Sequence, residues 1–305
     1  MAPRFKGGGK LPFPLSKPSW PNGVEPAPSH EGLGAHFRTD WSRRYGVRLI
    51  RAILLDNLVR PAAKLAASPT VYGEDRLEGL NGPVIFAANH ASHLDTPLIL
   101  SLLPERFRHR CVVAAGADYF FDKRWKAYIW SGLLAAIPIE RNRVSRRSAR
   151  NAEALLQERW SVLIFPEGGR SPDGLGQAYK GGVAYLAQRT GVPVVPIFIE
   201  GTFEMLGKGS SRFRRGTTTL TFGRPLRDNG EDVRLFNRRI EKAVDALALE
   251  THTDWWTAAL EAGNGTVPSL QPENRDSWIA DWRRTATLPT KKQTPTWPSR
   301  FGSSR

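Results

Sequence analysis

The feature that most constrains the fold of this chain is a pair of polar motifs, each of which directly follows a short apolar segment. Val84–Ala88 has the character of a buried strand and leads into Asn89–Asp95, with the sequence NHASHLD. Val162–Phe165 has the same character and leads into Pro166–Ser171, with the sequence PEGGRS. In α/β proteins the functional groups collect where the strands of the sheet end. Both motifs are therefore candidates for a functional site in a fold of this class.

The rest of the chain alternates between short apolar runs and segments with helical spacing. Further strands are predicted at Val112–Ala115, Ile137–Ile139, Val192–Ile199 and Thr218–Phe222. Helices are predicted at Val47–Val59 (ended or kinked by Pro61), Leu94–Leu103, Trp125–Leu134, Ser148–Glu158, Val183–Gln188 and Asp232–Leu249. This alternation predicts an α/β fold with a mainly parallel sheet flanked by helices.

The composition at the two ends of the chain differs from that of the middle. Residues 1–37 are rich in Gly and Pro without a period, and we expect a disordered N-terminal tail there. We expect a single domain over residues 38–255. Residues 256–305, in which Pro, Thr, Gly and Trp become frequent, are expected to form an irregular C-terminal tail.

The charge and the single cysteine limit the possible functions. The 305 residues carry 44 Lys and Arg against 29 Asp and Glu, a formal net charge of +15 at pH 7. That excess favours polyanions, either nucleic acid or an anionic lipid surface. No nucleic-acid-reading motif occurs, so no nucleic acid is expected as a partner. Cys111 alone can form neither an intramolecular disulfide nor a cysteine zinc site.

The first motif contains a candidate acid–base pair. His90 can take a proton from an alcohol, while Asp95 could orient the imidazole and stabilise its charged form. Ser92 and Asp95 also match a helix capping box, which needs no catalysis. A metal shared by His90 and His93 has no supporting ligand pattern, so no metal is expected.

The second motif contains groups suited to a phosphorylated ligand. Gly168 allows the backbone to approach a ligand, Arg170 offers a planar fork for phosphate, and Glu167 could orient that fork or bind a hydroxyl. Turn formation alone would explain the glycines. Arg141, at the end of Ile137–Ile139, is the basic residue of a third segment that we assign to a site.

Four segments in one order carry a family resemblance: Asn89-His90…Asp95, Ile137-Pro138-Ile139…Arg141, Phe165-Pro166-Glu167-Gly168…Arg170-Ser171 and Val192-Pro193…Pro196. Together they resemble the glycerolipid acyltransferase family, typified by bacterial 1-acylglycerol-3-phosphate acyltransferase. The resemblance covers roughly residues 38–250. It implies that His90 and Asp95 form a catalytic dyad. It also implies binding of the acceptor's glycerol phosphate by Glu167, Gly168 and Arg170, with Arg141 assisting and Lys180 as a further basic position.

The reaction implied by the resemblance is transfer of an acyl group from acyl-CoA or acyl carrier protein to 1-acylglycerol 3-phosphate. His90 would act as general base at the sn-2 hydroxyl, phosphatidic acid would form, and no cofactor would be needed. Glycerol 3-phosphate or another lysophospholipid remains an alternative acceptor. From a different class, a non-catalytic basic lipid- or nucleic-acid-binding protein is the rival interpretation.

The acceptor implied by the resemblance resides in a membrane. Neither a secretory signal nor a run of roughly 20 apolar residues occurs. We therefore expect a cytoplasmic protein that is peripheral at the inner face of the cell membrane and binds its anionic phospholipid surface. Val47–Arg60 and Tyr119–Trp130 are the candidate contact segments, although either could simply be core. The tail tryptophans Trp278, Trp282 and Trp297 are weaker candidates.

Overall fold

The computed structural model describes residue 34 and residues 37–140 and 146–271. Its strands are β1 Pro69–Tyr72, β2 Ile85–Ala88, β3 Cys111–Gly116, β4 Ala136–Ile139, β5 Ser161–Ile164, β6 Val194–Glu200 and β7 Thr218–Phe222. Its helices are α1 Tyr45–Leu54, α2 Arg60–Ala67, α3 Asp95–Leu102, α4 Glu105–Arg108, α5 Ala117–Phe120, α6 Arg124–Leu134, α7 Arg146–Gln157, α8 Gly182–Thr190, α9 Thr202–Leu206, α10 Val233–His252 and α11 Trp255–Asn264.

The seven strands form one sheet in the order β1-β7-β6-β2-β5-β3-β4. All neighbouring strands are parallel except β6 and β7, which pair antiparallel. The predicted α/β fold with a mainly parallel sheet is therefore confirmed. The sequence did not predict β1, because this four-residue edge strand alternates between half-buried and exposed positions and has no apolar run.

Both faces of the sheet are covered by helices, which explains why its central strands are apolar throughout. In β2, Phe86 and Ala88 point to a core layer that includes residues of α3, while Ile85 and Ala87 point to α7, α8 and α10. All four side chains are fully buried. This arrangement fixes the position of the segment that follows β2, since the strand cannot shift without exposing one of its faces.

A long helical arm lies between the N-terminal part of the described chain and β1. It consists of α1, a π-helical segment Leu55–Val59 and α2. Pro61 therefore does not end the helix: it lies in the first turn of α2, directly after the π-helical segment. The Arg60 N–H donates to the Leu55 carbonyl, so the helix continues from the π-helical segment into α2.

The C-terminal part of the described chain is more ordered than predicted. Helix α11 occupies Trp255–Asn264, inside the stretch predicted to be irregular from residue 256. Asp254 caps this helix, because its carboxylate accepts a hydrogen bond from the Thr257 N–H at 2.9 Å. The predicted tail regions 1–33 and 272–305, including Trp278, Trp282 and Trp297, lie outside the described residues.

Candidate active site

The two polar motifs meet because the strands that precede them are neighbours. β2 and β5 pair in parallel, with Ile85 opposite Val162 and Ala87 opposite Ile164. The segments that follow these strands are linked by two hydrogen bonds: the His90 N–H donates to Glu167 Oε1 at 3.0 Å, and the Ser171 N–H donates to the His90 carbonyl at 2.8 Å. The catalytic and binding candidates thus share one edge of the sheet.

Asn89 fixes the first motif to the strand on its other side. Its amide nitrogen donates to the Ile199 carbonyl at 2.8 Å, and its amide oxygen accepts from the Ile199 N–H at 2.8 Å. Asn89 is buried, so these bonds satisfy polar groups that would otherwise be costly. No role was predicted for Asn89 from the sequence. An amide side chain directly after an apolar strand could have indicated a residue that anchors the end of that strand.

His90 and Asp95 form the predicted pair. The His90 Nδ1 and the Asp95 Oδ2 are 2.8 Å apart, and the same oxygen accepts hydrogen bonds from the N–H groups of Ala91 and Ser92, each at 2.8 Å. Asp95 is fully buried, whereas 13% of the His90 side chain is exposed. A carboxylate at Nδ1 makes that nitrogen the protonated one, which leaves Nε2 as the basic atom.

The hydrogen bonds of the predicted capping box are also present in this segment. The Ser92 N–H donates to Asp95 Oδ2 at 2.8 Å, and the Leu94 N–H donates to Ser92 Oγ at 3.1 Å. Helix α3 begins at Asp95 itself, and the Ser92 hydroxyl donates to the Leu206 carbonyl at 2.6 Å. Asp95 therefore serves the turn and the imidazole together.

The His90 ring stacks on Phe165, with ring centroids 4.0 Å apart and planes inclined by 19°. The two residues lie at the edge of a cavity of about 350 Å³. Most of the cavity wall is apolar and comes from the helical arm, β3, α5, α6 and α3; it includes Leu54, Leu55, Val59, Val113, Phe120, Trp130, Leu133 and Leu134. A histidine that lines an apolar cavity can act on the polar end of a substrate while the cavity binds the hydrocarbon part of the same substrate.

The binding candidates of the second motif lie beside this cavity. Gly168 and Arg170 line it, whereas Glu167 is buried and supports the His90 backbone. Gly168 has φ +74°, and a Cβ there would lie only 2.6 Å from Lys180 Nζ. A glycine at position 168 therefore leaves space for the Lys180 side chain and permits the positive φ of the turn. The Lys180 N–H donates to the Pro166 carbonyl at 2.9 Å, which places this residue at the second motif.

Arg141 lies outside the described residues, so its assignment stays a prediction. His93 has a different role from a metal ligand: it stacks on Tyr119 with ring centroids 5.6 Å apart. Within the part of the chain that is described, no group of three or more His, Cys, Asp or Glu residues could hold a metal ion.

Buried polar groups behind the second motif hold the segment that leads to Lys180. The Tyr179 N–H donates to Glu241 at 3.1 Å, and the Tyr179 carbonyl accepts from Asn237 at 2.9 Å. Burial raises the pKa of Tyr179 well above its usual value, and the charges of Glu167, Asp245 and Glu241 add to this effect. Burial likewise raises the pKa values of Glu241 and Asp245. No local sequence pattern indicates this network, because its members are far apart in the chain.

Comparison with known proteins shows what the middle of the chain is similar to. Residues 68–200 match the family model described as Acyltransferase. The chain is 28% identical over 204 residues to the chloroplastic 1-acyl-sn-glycerol-3-phosphate acyltransferase of Arabidopsis thaliana, covering 61% of this chain and 53% of the relative. It is 30% identical over 167 residues to the corresponding enzyme of Chlamydomonas reinhardtii, covering 52% and 47%. The matched region spans about half the length of these relatives.

A solved structure shares the fold. The 1-acyl-sn-glycerophosphate (LPA) acyltransferase PlsC from Thermotoga maritima superposes with a TM-score of 0.52 at 25% sequence identity, covering 68% of this chain and 80% of that one. These findings confirm the resemblance that was drawn from the four sequence segments.

The link between Glu167 and the His90 backbone can be tested by hydrogen exchange at single amides. In Glu167→Ala the His90 N–H loses its acceptor, and we expect its exchange to accelerate by about tenfold. Glu167→Gln keeps a side-chain oxygen and is the matched control. The amides of Ala91 and Ser92, which donate to Asp95, should keep their protection in both variants. Unchanged exchange of the His90 amide in Glu167→Ala would show that this bond does not hold the segment.

Proposed function

We propose that this chain transfers a fatty acyl group from a thioester carrier to the free sn-2 hydroxyl of 1-acylglycerol 3-phosphate, giving phosphatidic acid. The observation that carries the proposal is the His90–Asp95 pair at the edge of an apolar cavity, with Arg170 and Gly168 on the same edge. The relatives from Arabidopsis thaliana and Chlamydomonas reinhardtii are named for this reaction, which supports the choice of acceptor.

His90 acts as the general base. Its Nε2 takes the proton of the acceptor hydroxyl while the oxygen attacks the thioester carbonyl and forms the new C–O bond. The C–S bond then breaks, and the imidazolium returns the proton to the departing thiolate. Asp95 holds the ring in the required tautomer and stabilises its charged form. The reaction needs no metal and no cofactor beyond the thioester donor, acyl-CoA or acyl carrier protein.

The apolar cavity holds an acyl chain. Each buried methylene group contributes about 0.8 kcal/mol, so the wall formed by the helical arm and α6 supplies binding energy in proportion to chain length. His90 and Phe165 both line this cavity, so in this proposal the carbonyl end of a bound chain lies next to the base.

The phosphate of the acceptor is bound by cations beside Gly168. Arg170 offers a bidentate fork, and Lys180 lies against Gly168 with its ammonium group. Arg141 remains part of this proposed site. Glu167 remains part of this proposed site as well, and its Oε1 also supports the catalytic segment by accepting the His90 N–H.

Apolar side chains on two neighbouring elements form an exposed surface that we call the apolar face. Its members on the helical arm are Tyr45, Leu49, Ile50, Ile53, Leu58 and Leu65, and those on α6 are Trp125, Tyr128, Ile129 and Leu133. Tyr45 is 77% exposed and Leu65 72% exposed, which is unfavourable in water. This exposure supports the prediction that the two segments contact a membrane, and it fits less well with the alternative that they belong to the core.

Three apolar residues of the predicted contact segments, Leu55, Phe121 and Ala127, do belong to the core. Phe121 is fully buried and packs with Ala127 and Ala136. None of the described helices has the length and apolar character that a membrane span requires. From the exposure of the apolar face we propose that the chain lies peripherally on an anionic phospholipid surface, at the inner face of the cell membrane, with the apolar face in the headgroup region.

The dyad is tested by substitution. His90→Ala should lower kcat by roughly 10²–10⁴-fold, since general-base assistance is lost. Asp95→Asn should also lower kcat severely, because the amide does not hold the productive tautomer. His109→Ala is the matched control, since His109 pairs with Asp56 and does not line the cavity. Retention of more than about a tenth of the wild-type rate in His90→Ala would contradict the general-base role.

Arg170 is tested through the two Michaelis constants. Arg170→Ala should raise the acceptor KM by about tenfold or more while the KM of the acyl donor changes little, because a charged contact to phosphate is lost. Arg170→Lys should restore part of this affinity, since a point charge lacks the bidentate geometry. Equal increases in both constants would assign Arg170 a structural role.

Membrane attachment is tested by sedimentation with vesicles across a salt series. The wild-type chain should bind anionic vesicles, with affinity falling as salt is raised, and should bind neutral vesicles weakly. Ile50→Ser/Ile53→Ser should weaken binding by about tenfold or more, since two side chains lose their apolar environment. Leu235→Ser/Leu260→Ser, on exposed positions of α10 and α11, is the control. Equal loss in both double variants, or no binding by the wild type, would contradict the apolar face as the contact.

A further inference from the structure

A strongly basic loop follows α9 at the catalytic edge of the sheet. It consists of residues 208–215, with the sequence KGSSRFRR, and we call it the basic loop. Lys208, Arg212, Arg214 and Arg215 are all exposed, and Phe213 between them is 47% exposed. No Asp or Glu occurs from residue 205 to residue 227. Within the described part of the chain, none of these four cations forms an ion pair.

The base of this loop is attached to the catalytic segment. Ser92, which lies between His90 and Asp95, forms a β-bridge with Gly207 and donates its hydroxyl hydrogen bond to the Leu206 carbonyl at 2.6 Å. The Lys208 ammonium donates to the Arg170 carbonyl at 3.4 Å. One end of the loop therefore touches both motifs of the active site.

The other end of the loop is fixed as well. The Arg214 N–H donates to the Met205 carbonyl at 3.0 Å, and the Gly216 N–H donates to the Ala66 carbonyl at the end of α2 at 3.1 Å. The backbone is thus held while the cationic side chains project into solvent. Four like charges within eight residues repel one another unless an anion lies between them.

The chemistry of the loop matches a phosphorylated nucleotide. Arginine forks bind phosphate oxygens, and an exposed aromatic ring stacks on a nucleobase. With an acyl chain in the apolar cavity and its thioester at His90, the carrier portion of the donor lies outside the cavity, and the basic loop is joined to the catalytic segment at Ser92. Coenzyme A carries an adenine and several phosphate groups at that end of the molecule.

We propose that the basic loop binds the 3′-phosphorylated ADP portion of coenzyme A and so selects acyl-CoA as the donor. This inference rests on the proposed function, because it assigns the loop to the donor of the same reaction. Phe213 stacks on the adenine, and Arg212, Arg214 and Arg215 pair with the phosphates. No group on this surface takes part in the chemical step itself.

The test compares two donors that carry the same acyl group. Acyl-CoA contains the nucleotide, whereas the acyl thioester of N-acetylcysteamine lacks it. In Arg212→Gln/Arg214→Gln, kcat/KM for acyl-CoA should fall by about tenfold or more, because KM for this donor rises. The value of kcat/KM for the short thioester should stay at that of the wild type. Phe213→Leu should show the same selectivity to a smaller extent, since leucine keeps the apolar character but loses the stacking plane. Arg234→Gln/Arg238→Gln, with two exposed arginines on α10, is the charge-matched control.

Each other outcome overturns the inference in a recognisable way. Equal loss with both donors would make the loop a structural support of Ser92. Loss confined to acyl carrier protein as donor would identify an acidic protein as the partner, and loss confined to sedimentation with anionic vesicles would identify the membrane. Calorimetric titration of the wild-type chain and the double variant with adenosine 3′,5′-bisphosphate needs no turnover. If the wild-type chain and the double variant bind the bisphosphate equally, or if neither binds it, this inference is wrong. Because the titration does not depend on turnover, that result is distinct from a failure of the proposed reaction.

Discussion

The buried carboxylate of Asp95 is the interaction on which the site depends. A buried carboxylate is costly unless it is hydrogen-bonded, and the turn before α3 meets this requirement with the N–H groups of Ala91 and Ser92. The same oxygen contacts His90 Nδ1, so the constraint that forms the turn also orients the imidazole. A substitution that breaks the hydrogen bonds of Asp95 Oδ2 is therefore expected to disturb both the backbone of the motif and the orientation of the His90 ring.

The sheet extends this constraint to the binding groups. β2 lies between β5 and β6, so Asn89 is anchored to Ile199 on one side and the His90 backbone is joined to Glu167 on the other. The second motif then places Arg170 at the edge of the cavity. The cavity wall and the apolar face share the helical arm and α6, whose inner residues line the cavity while their outer residues are exposed. A lipid substrate could thus pass from a membrane surface into the cavity along one pair of elements.

The parts of this arrangement that depend on local sequence pattern could be predicted from the sequence. The apolar strands before both motifs, the parallel sheet and the pairing of His90 with Asp95 followed from short segments. Contacts between distant segments could not be found this way, which is why the Asn89–Ile199 clamp and the network around Tyr179 were missed. The capping-box spacing of Ser92 and Asp95 was a local signal of the same kind, since the Ser92 N–H donates to Asp95 and the Leu94 N–H donates to the Ser92 hydroxyl oxygen. Phe121 shows that helical spacing alone does not distinguish a buried aromatic side from an exposed one.

The central claim is that the chain acylates a lysophospholipid that carries a phosphate, and a panel of acceptors tests it most directly. Purified full-length chain is incubated with a labelled acyl group on coenzyme A and, separately, on acyl carrier protein. Each donor is offered 1-acylglycerol 3-phosphate, glycerol 3-phosphate or an uncharged monoacylglycerol. The account predicts that label enters phosphatidic acid far faster than either other product. Equal labelling of the three acceptors, preference for glycerol 3-phosphate, or no transfer from either donor would contradict it.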